Sequence, residues 1–278
     1  MNNSVVKEFL RYEDTYCLRG IAMLMIIIGH TYNGYPTEDA SFYFPSWLHF
    51  LYIELWGGMG VAIFLFLSGF GLFTTLCRRE TIDKQYIYRK LKRILEPFLI
   101  YWIVEIIVLA IINRQELTMH IVKEIATFSI HPNIENWFFK VIAVTYIITI
   151  ALFRLRMNNS TRIFIISALA LLYLVIMKEL GFGQWWYNNI LCFPIGAIVA
   201  HNYSFFEKLS SLMMSIFTFV LMLIIYLVHM NTLVFHLLFV FISIYAIRII
   251  SINHNKLLYF IGYNSFIFYF IECPIEDE

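Results

Sequence analysis

Charge is what this chain has least of: only 14% of its 278 residues are Asp, Glu, Lys or Arg, while 60% are hydrophobic and 18% aromatic. A soluble domain carries about a quarter charged residues, so a water-facing surface is excluded and the bilayer must be the solvent. Cysteine is also scarce. Cys17, Cys77, Cys192 and Cys273 show no CxxC spacing and fall in or beside apolar runs, which points away from a disulfide framework or a cysteine zinc site. Among the eight histidines only His229 and His236 share a helical spacing, and no carboxylate or cysteine completes a ligand set there, so no metal is expected. Ser68 has no G-x-S-x-G context and is no nucleophile candidate. A net charge of +1 gives no reason to expect nucleic acid as a partner. The chain lacks repeats, low-complexity tracts and a cleavage site after its first apolar run, so one domain over 1–278 with a retained first helix is expected.

Long apolar runs are there in abundance. The β-barrel signature of alternating ten-residue segments is missing, and runs near 19–34, 57–76, 94–112, 136–153, 163–177, 189–201, 211–229, 232–247 and 257–275 predict an all-α, polytopic transmembrane bundle of about nine to ten segments. With the N-terminus inside, 16 of the 20 lysines and arginines fall in inner segments, leaving Arg114, Lys123, Lys140 and Lys178 outside. This positive-inside bias predicts a plasma-membrane or inner-membrane protein with a cytoplasmic N-terminus. The 189–201 run is short and holds Pro194 and Gly196, which predicts a tilted or broken helix lining a cavity.

Arg19 and His30 bracket ten apolar or small residues, GIAMLMIIIG. An ionisable side chain inside a membrane is costly and marks function by default. Eleven helical residues bring the two back to one face, about 16 Å apart in depth. His30 then lies near the middle of the bilayer, where a neutral imidazole can take a proton from a hydroxyl. Before the third span, Arg89, Lys90 and Arg93 share a helix start; such a cluster suits a polyphosphate as well as it suits topology. The glycines around GGMGVAIFLFLSGFG fit close helix packing. Glu96 and Glu105 are expected to point into the bundle or be protonated, and Glu54, at the outer start of the second span, to orient the imidazole or a sugar hydroxyl.

Taken in order, LRGIAMLMIIIGH, GGMGVAIFLFLSGFGLF, YRKLKRILEPFLIYW, NWFF and FIGYNSFIFYF resemble the membrane acyltransferase 3 family, which includes bacterial O-antigen and exopolysaccharide O-acetylases. The resemblance covers most of the chain. It implies transfer of an acyl group, usually acetyl from cytoplasmic acetyl-CoA, to a hydroxyl of a glycan or lipid-linked glycan, with acyl-CoA as donor substrate rather than bound cofactor. It also implies that Arg19 and His30 are the catalytic arginine–histidine pair, and that Lys90 and Arg93, beside Arg89, bind acyl-CoA in place of the family's R-x-x-R.

Two departures stand out: Tyr269-Phe270-Ile271-Glu272 replaces the family's Y-L-x-H, and a tenth span common in the family is not seen before Glu278. A polysaccharide-precursor exporter and an inactive truncated paralogue are therefore the alternative expectations.

Overall fold

In the computed structural model the described residues are 9–33, 57–79, 81–111, 115–116, 118–119, 122, 137–227, 232–250 and 255–272, and their regular elements are all helical. In chain order these are α1 (Tyr12–Asn33), α2 (Gly57–Cys77), α3 (Lys84–Ile111), α4 (Trp137–Arg154), α5 (Asn159–Glu179), α6 (Cys192–His201), α7 (Tyr203–Lys208), α8 (Ser211–Leu227), α9 (Thr232–Ile250), α10 (Lys256–Tyr263) and α11 (Ser265–Glu272), with one 3-10 turn at Gln184–Trp186. Gly58–Cys77, Trp137–Arg154, Asn159–Glu179 and Thr232–Ile250 are long and apolar enough to cross a membrane. This is a multi-pass membrane protein.

The helices start where short polar side chains can satisfy their open amides. Asp14 reaches back to the Arg11 amide at 3.1 Å, Asp83 accepts from the Tyr86 amide at 2.7 Å, Asn158 accepts from Thr161 at 2.7 Å, and Asn255 accepts from Leu257 and Leu258 at 3.0 Å each. Unpaired first-turn N–H groups make such caps worth about 1 kcal/mol each. All four lie at the end of the bundle where basic residues collect, so that end is ordered by local hydrogen bonds as well as by packing.

The most enclosed helix is α2, which packs on α1, α4, α6 and α9. Its approach to α6 is nearly backbone to backbone: a Cβ on Gly69 would strike the Phe193 carbonyl, and one on Gly196 the Phe66 carbonyl. At ten residues, α6 rises about 15 Å, half a bilayer. It follows a run of turns over 187–191, and Ile190, Phe193 and Pro194 line an apolar cavity of about 310 Å³ against α4 and α5. The short, cavity-lining helix expected from 189–201 is thus present. By contrast α5 and α8 bear long exposed apolar faces, including Phe164, Leu172, Met213 and Phe217, as a lipid-facing helix must.

Two sequence expectations are corrected. The described part of the 257–275 run is two helices rather than one, because the backbone leaves the helical region at Asn264 (φ −99°, ψ 18°), whose Nδ2 donates to the Phe260 carbonyl at 2.9 Å. Glu96 does not point into the bundle. Its carboxylate is exposed on α3 and pairs with Lys92 one turn earlier at 3.8 Å, so water and a neighbouring cation replace the interior partner expected for it. Glu105 keeps its place on α3, but its side chain lies outside the described set.

A polar knot closes the end opposite the basic one. Asn189 donates through Nδ2 to the Gly58 carbonyl at 3.0 Å and meets Nδ1 of the buried His236 at 2.8 Å through Oδ1. With Oδ1 as acceptor, His236 must carry its proton on Nδ1. Gly58 makes room for the ring, since a Cβ there would meet the imidazole. Changing Asn189 to Leu removes both of these bonds, and losing the one to the buried imidazole should cost about 1–3 kcal/mol. The detergent-solubilised variant should melt clearly lower, whereas Asn188→Ala, which loses a half-buried bond to Thr232 and an exposed one to Gln184, should melt close to wild type.

Candidate functional site

Arg19 is placed by the glycines around it. A Cβ on Gly20 would strike the Leu258 carbonyl and a Cβ on Gly262 the Tyr16 carbonyl, so α1 and α10 touch backbone to backbone beside the arginine. The side chain, half-buried, lies over the Tyr16 ring at 5.4 Å, a cation–π contact that holds it without neutralising it. His30 lies on the same unbroken helix, in its last turn, eleven residues on. The depth of about 16 Å between them therefore follows from helix geometry. The His30 side chain, and Glu54 entirely, lie outside the described set, as do His229 and Cys273.

Arg19, Lys90 and Arg93 come together at the basic end although α1 and α3 are some seventy residues apart in sequence. Burial first, then the charges of Arg93, Arg19 and Arg79, push the Lys90 ammonium down to about 8. Arg89 and Arg93 are both solvent-exposed, and of the two only Arg93 is among the charges that act on Lys90. Lys90 is half-buried, and its predecessor lies about 100° around α3 from it, on the outer side.

Three tyrosines and a fourth cation complete the cluster. Tyr86 is buried between Arg79, 4.0 Å above its ring, and the Lys90 Nζ, at 5.7 Å. Its hydroxyl has no hydrogen-bond partner among the described residues. Tyr146 of α4 feels the charge of Arg19 and turns its hydroxyl to Ser68 of α2. Among the described residues no carboxylate pairs with Arg19, Arg79, Lys90 or Arg93. Basic groups gathered at one place raise a positive potential that favours an anion.

Sequence reasoning missed Tyr16, Tyr86 and Tyr146 because a neutral aromatic gives no intramembrane-charge signal. Arg79 was visible only as one more topology charge. His236 was read only for metal spacing, although it interrupts an apolar span just as His30 does.

An all-helical bundle, with helices long and apolar enough to cross a membrane and basic residues gathered at one end, defines a multi-pass membrane protein. The acyltransferase 3 family model, described as an acyltransferase domain, matches residues 16–275, and the chain belongs to that family. No curated protein and no solved structure matches it significantly. Family membership makes this chain a membrane acyltransferase.

Proposed function

We propose that the protein moves an acyl group, acetyl in the first instance, from cytoplasmic acyl-CoA to a hydroxyl of an extracytoplasmic or lipid-linked glycan. The observation that carries this reading is that Lys90 and Arg93 of α3 lie near Arg19, with no carboxylate paired to them among the described residues, and that Arg19 shares its helix with His30. The positive-inside rule puts that end in the cytoplasm, where acyl-CoA is found.

In this reading Lys90 and Arg93 hold the CoA pyrophosphate. Arg19 guides the pantetheine arm along α1 and balances charge that develops on the thioester oxygen. His30 accepts the proton of the acceptor hydroxyl as its oxygen attacks the thioester carbonyl. The C–S bond then breaks, and the departing CoA thiolate recovers that proton from the imidazolium. Glu54, where the second span begins, orients the imidazole or a sugar hydroxyl.

Lys90 supplies a test in which direction matters. Because its ammonium is held down to about 8, it is charged at neutral pH and loses that charge as pH rises through that value. Affinity for acyl-CoA should therefore weaken between about pH 7 and about pH 9, while Lys90→Arg, which does not titrate in this range, should bind with a flat profile. Equilibrium binding of CoA to the protein in nanodiscs reads this directly. A wild-type profile as flat as that of the arginine variant would remove Lys90 from the donor site.

A further inference from the structure

A second cavity opens at the basic end, beyond the Arg19–Lys90 cluster. It measures about 410 Å³, within the range of small-molecule sites, and lies between the end of α2, the end of α4, the start of α5 and the 79–82 connection. Its cations are Arg79, Arg154 and Arg162, and among the described residues no carboxylate lines it.

Topology alone does not account for how these arginines are held. Charges that merely set orientation are solvated and free to swing, yet two of the three are fixed. Arg162 donates from Nη1 to Asn159 Oδ1 at 2.7 Å, from Nη2 to the Leu155 carbonyl at 3.0 Å and from Nε to the Leu152 carbonyl at 3.3 Å, and it lies over Phe153 at 4.4 Å. Five N–H groups less these three leaves two for a ligand. Arg79 lies on the Tyr86 ring, which Lys90 also approaches, so this one side chain stands in both the cavity and the cluster. Arg154 is exposed at the rim and completes the set. Guanidinium groups fixed in advance lose little freedom on capturing a phosphate, and their fork geometry matches phosphate oxygens.

We infer that the Arg79–Arg154–Arg162 cavity is a second anion subsite, which takes the 3′-phosphate of the nucleotide end of CoA while Lys90 and Arg93 hold the pyrophosphate. This rests on the acyl-CoA reading above and adds to it. CoA carries a phosphate monoester on its ribose in addition to the pyrophosphate, and the molecule places a separate cationic cavity beside its cationic mouth. Arg79, shared by both, sets the spacing. An inner-leaflet lipid headgroup offers the same phosphate chemistry from another source.

The test compares binding of CoA and of 3′-dephospho-CoA to the full-length protein in nanodiscs, once in zwitterionic phosphatidylcholine and once with added anionic phosphatidylglycerol. Arg162 anchors backbone carbonyls and its loss could unfold the 152–162 turn, so Arg154→Gln is the variant, with Arg154→Lys as the charge-keeping control. Wild type should bind CoA about tenfold more tightly than the dephospho form, roughly the value of one charge-assisted contact. Arg154→Gln should bring the ratio to near one, and Arg154→Lys should restore part of it. Equal binding of the two ligands by wild type overturns the subsite, as does an unchanged ratio in Arg154→Gln. A preference that vanishes when phosphatidylglycerol is added, with that lipid retained by wild type and lost by Arg154→Gln, assigns the cavity to a headgroup and overturns it too. Failure of the acyltransfer reading looks different: CoA is bound and discriminated, yet no acyl group leaves acetyl-CoA.

Discussion

Replacing His30 with alanine should lower acyl transfer by about 10²- to 10⁴-fold, the usual worth of a positioned general base, at unchanged protein level and unchanged CoA affinity. The separation of effects follows from position. His30 lies at the far end of α1 from Arg19, Lys90 and Arg93, so removing it leaves the anion-binding mouth intact. Glycan acylation measured by mass spectrometry, alongside CoA binding to the same membranes, checks both halves. Arg19→Ala should behave differently, losing donor affinity and turnover together, because Arg19 belongs to the cationic cluster.

Gly262→Val should be the most damaging single change to the fold. Its added Cβ would meet the Tyr16 carbonyl, and no side-chain rotation relieves a clash with backbone. Ordinary overpacking costs about 1–3 kcal/mol through displaced side chains, and forcing two helix backbones apart should exceed about 3 kcal/mol. The expected outcome is loss of monodisperse protein on size-exclusion chromatography in detergent. Gly71→Val is the matched control, since open space surrounds a Cβ there. If Gly262→Val yields protein as stable as Gly71→Val, the close α1–α10 contact that positions Arg19 is wrong.

Much of the bundle was legible because a membrane span leaves a coarse mark, some twenty apolar residues, that survives any detail of packing. The half-length of α6 was readable from Pro194, Gly196 and the short run itself. The break at Asn264 was not: Asn sits in an apolar stretch long enough to span, and only its backbone angles, with its side chain bonded to the Phe260 carbonyl, show the break. Glu96 was misread for a related reason. Composition placed it beside a span, but depth decides whether a carboxylate needs an interior partner, and α3 keeps its first turns beyond the apolar region, where Lys92 suffices.

The candidate site was half legible. Arg19, Lys90 and Arg93 were each suspect on charge alone, while their nearness depends on how α3 seats on α4 and α11 beside α1. Helical phase then separated Arg89 from Lys90, a distinction of about 100° that adjacent positions in a basic run do not reveal. The tyrosines had no signal of their own. Tyr16 and Tyr86 matter because their aromatic faces hold cations in place without neutralising them, which lets a basic cluster stay open to an anion.

The measurement that bears most directly on the central claim supplies acetyl-CoA labelled in its acetyl group to the basic side of proteoliposomes, with the glycan acceptor on the other side. The acyltransferase reading predicts that CoA is released and label appears in glycan in equal amounts, and that both cease in His30→Ala. Movement of glycan across the bilayer with no CoA released and no label transferred would contradict it.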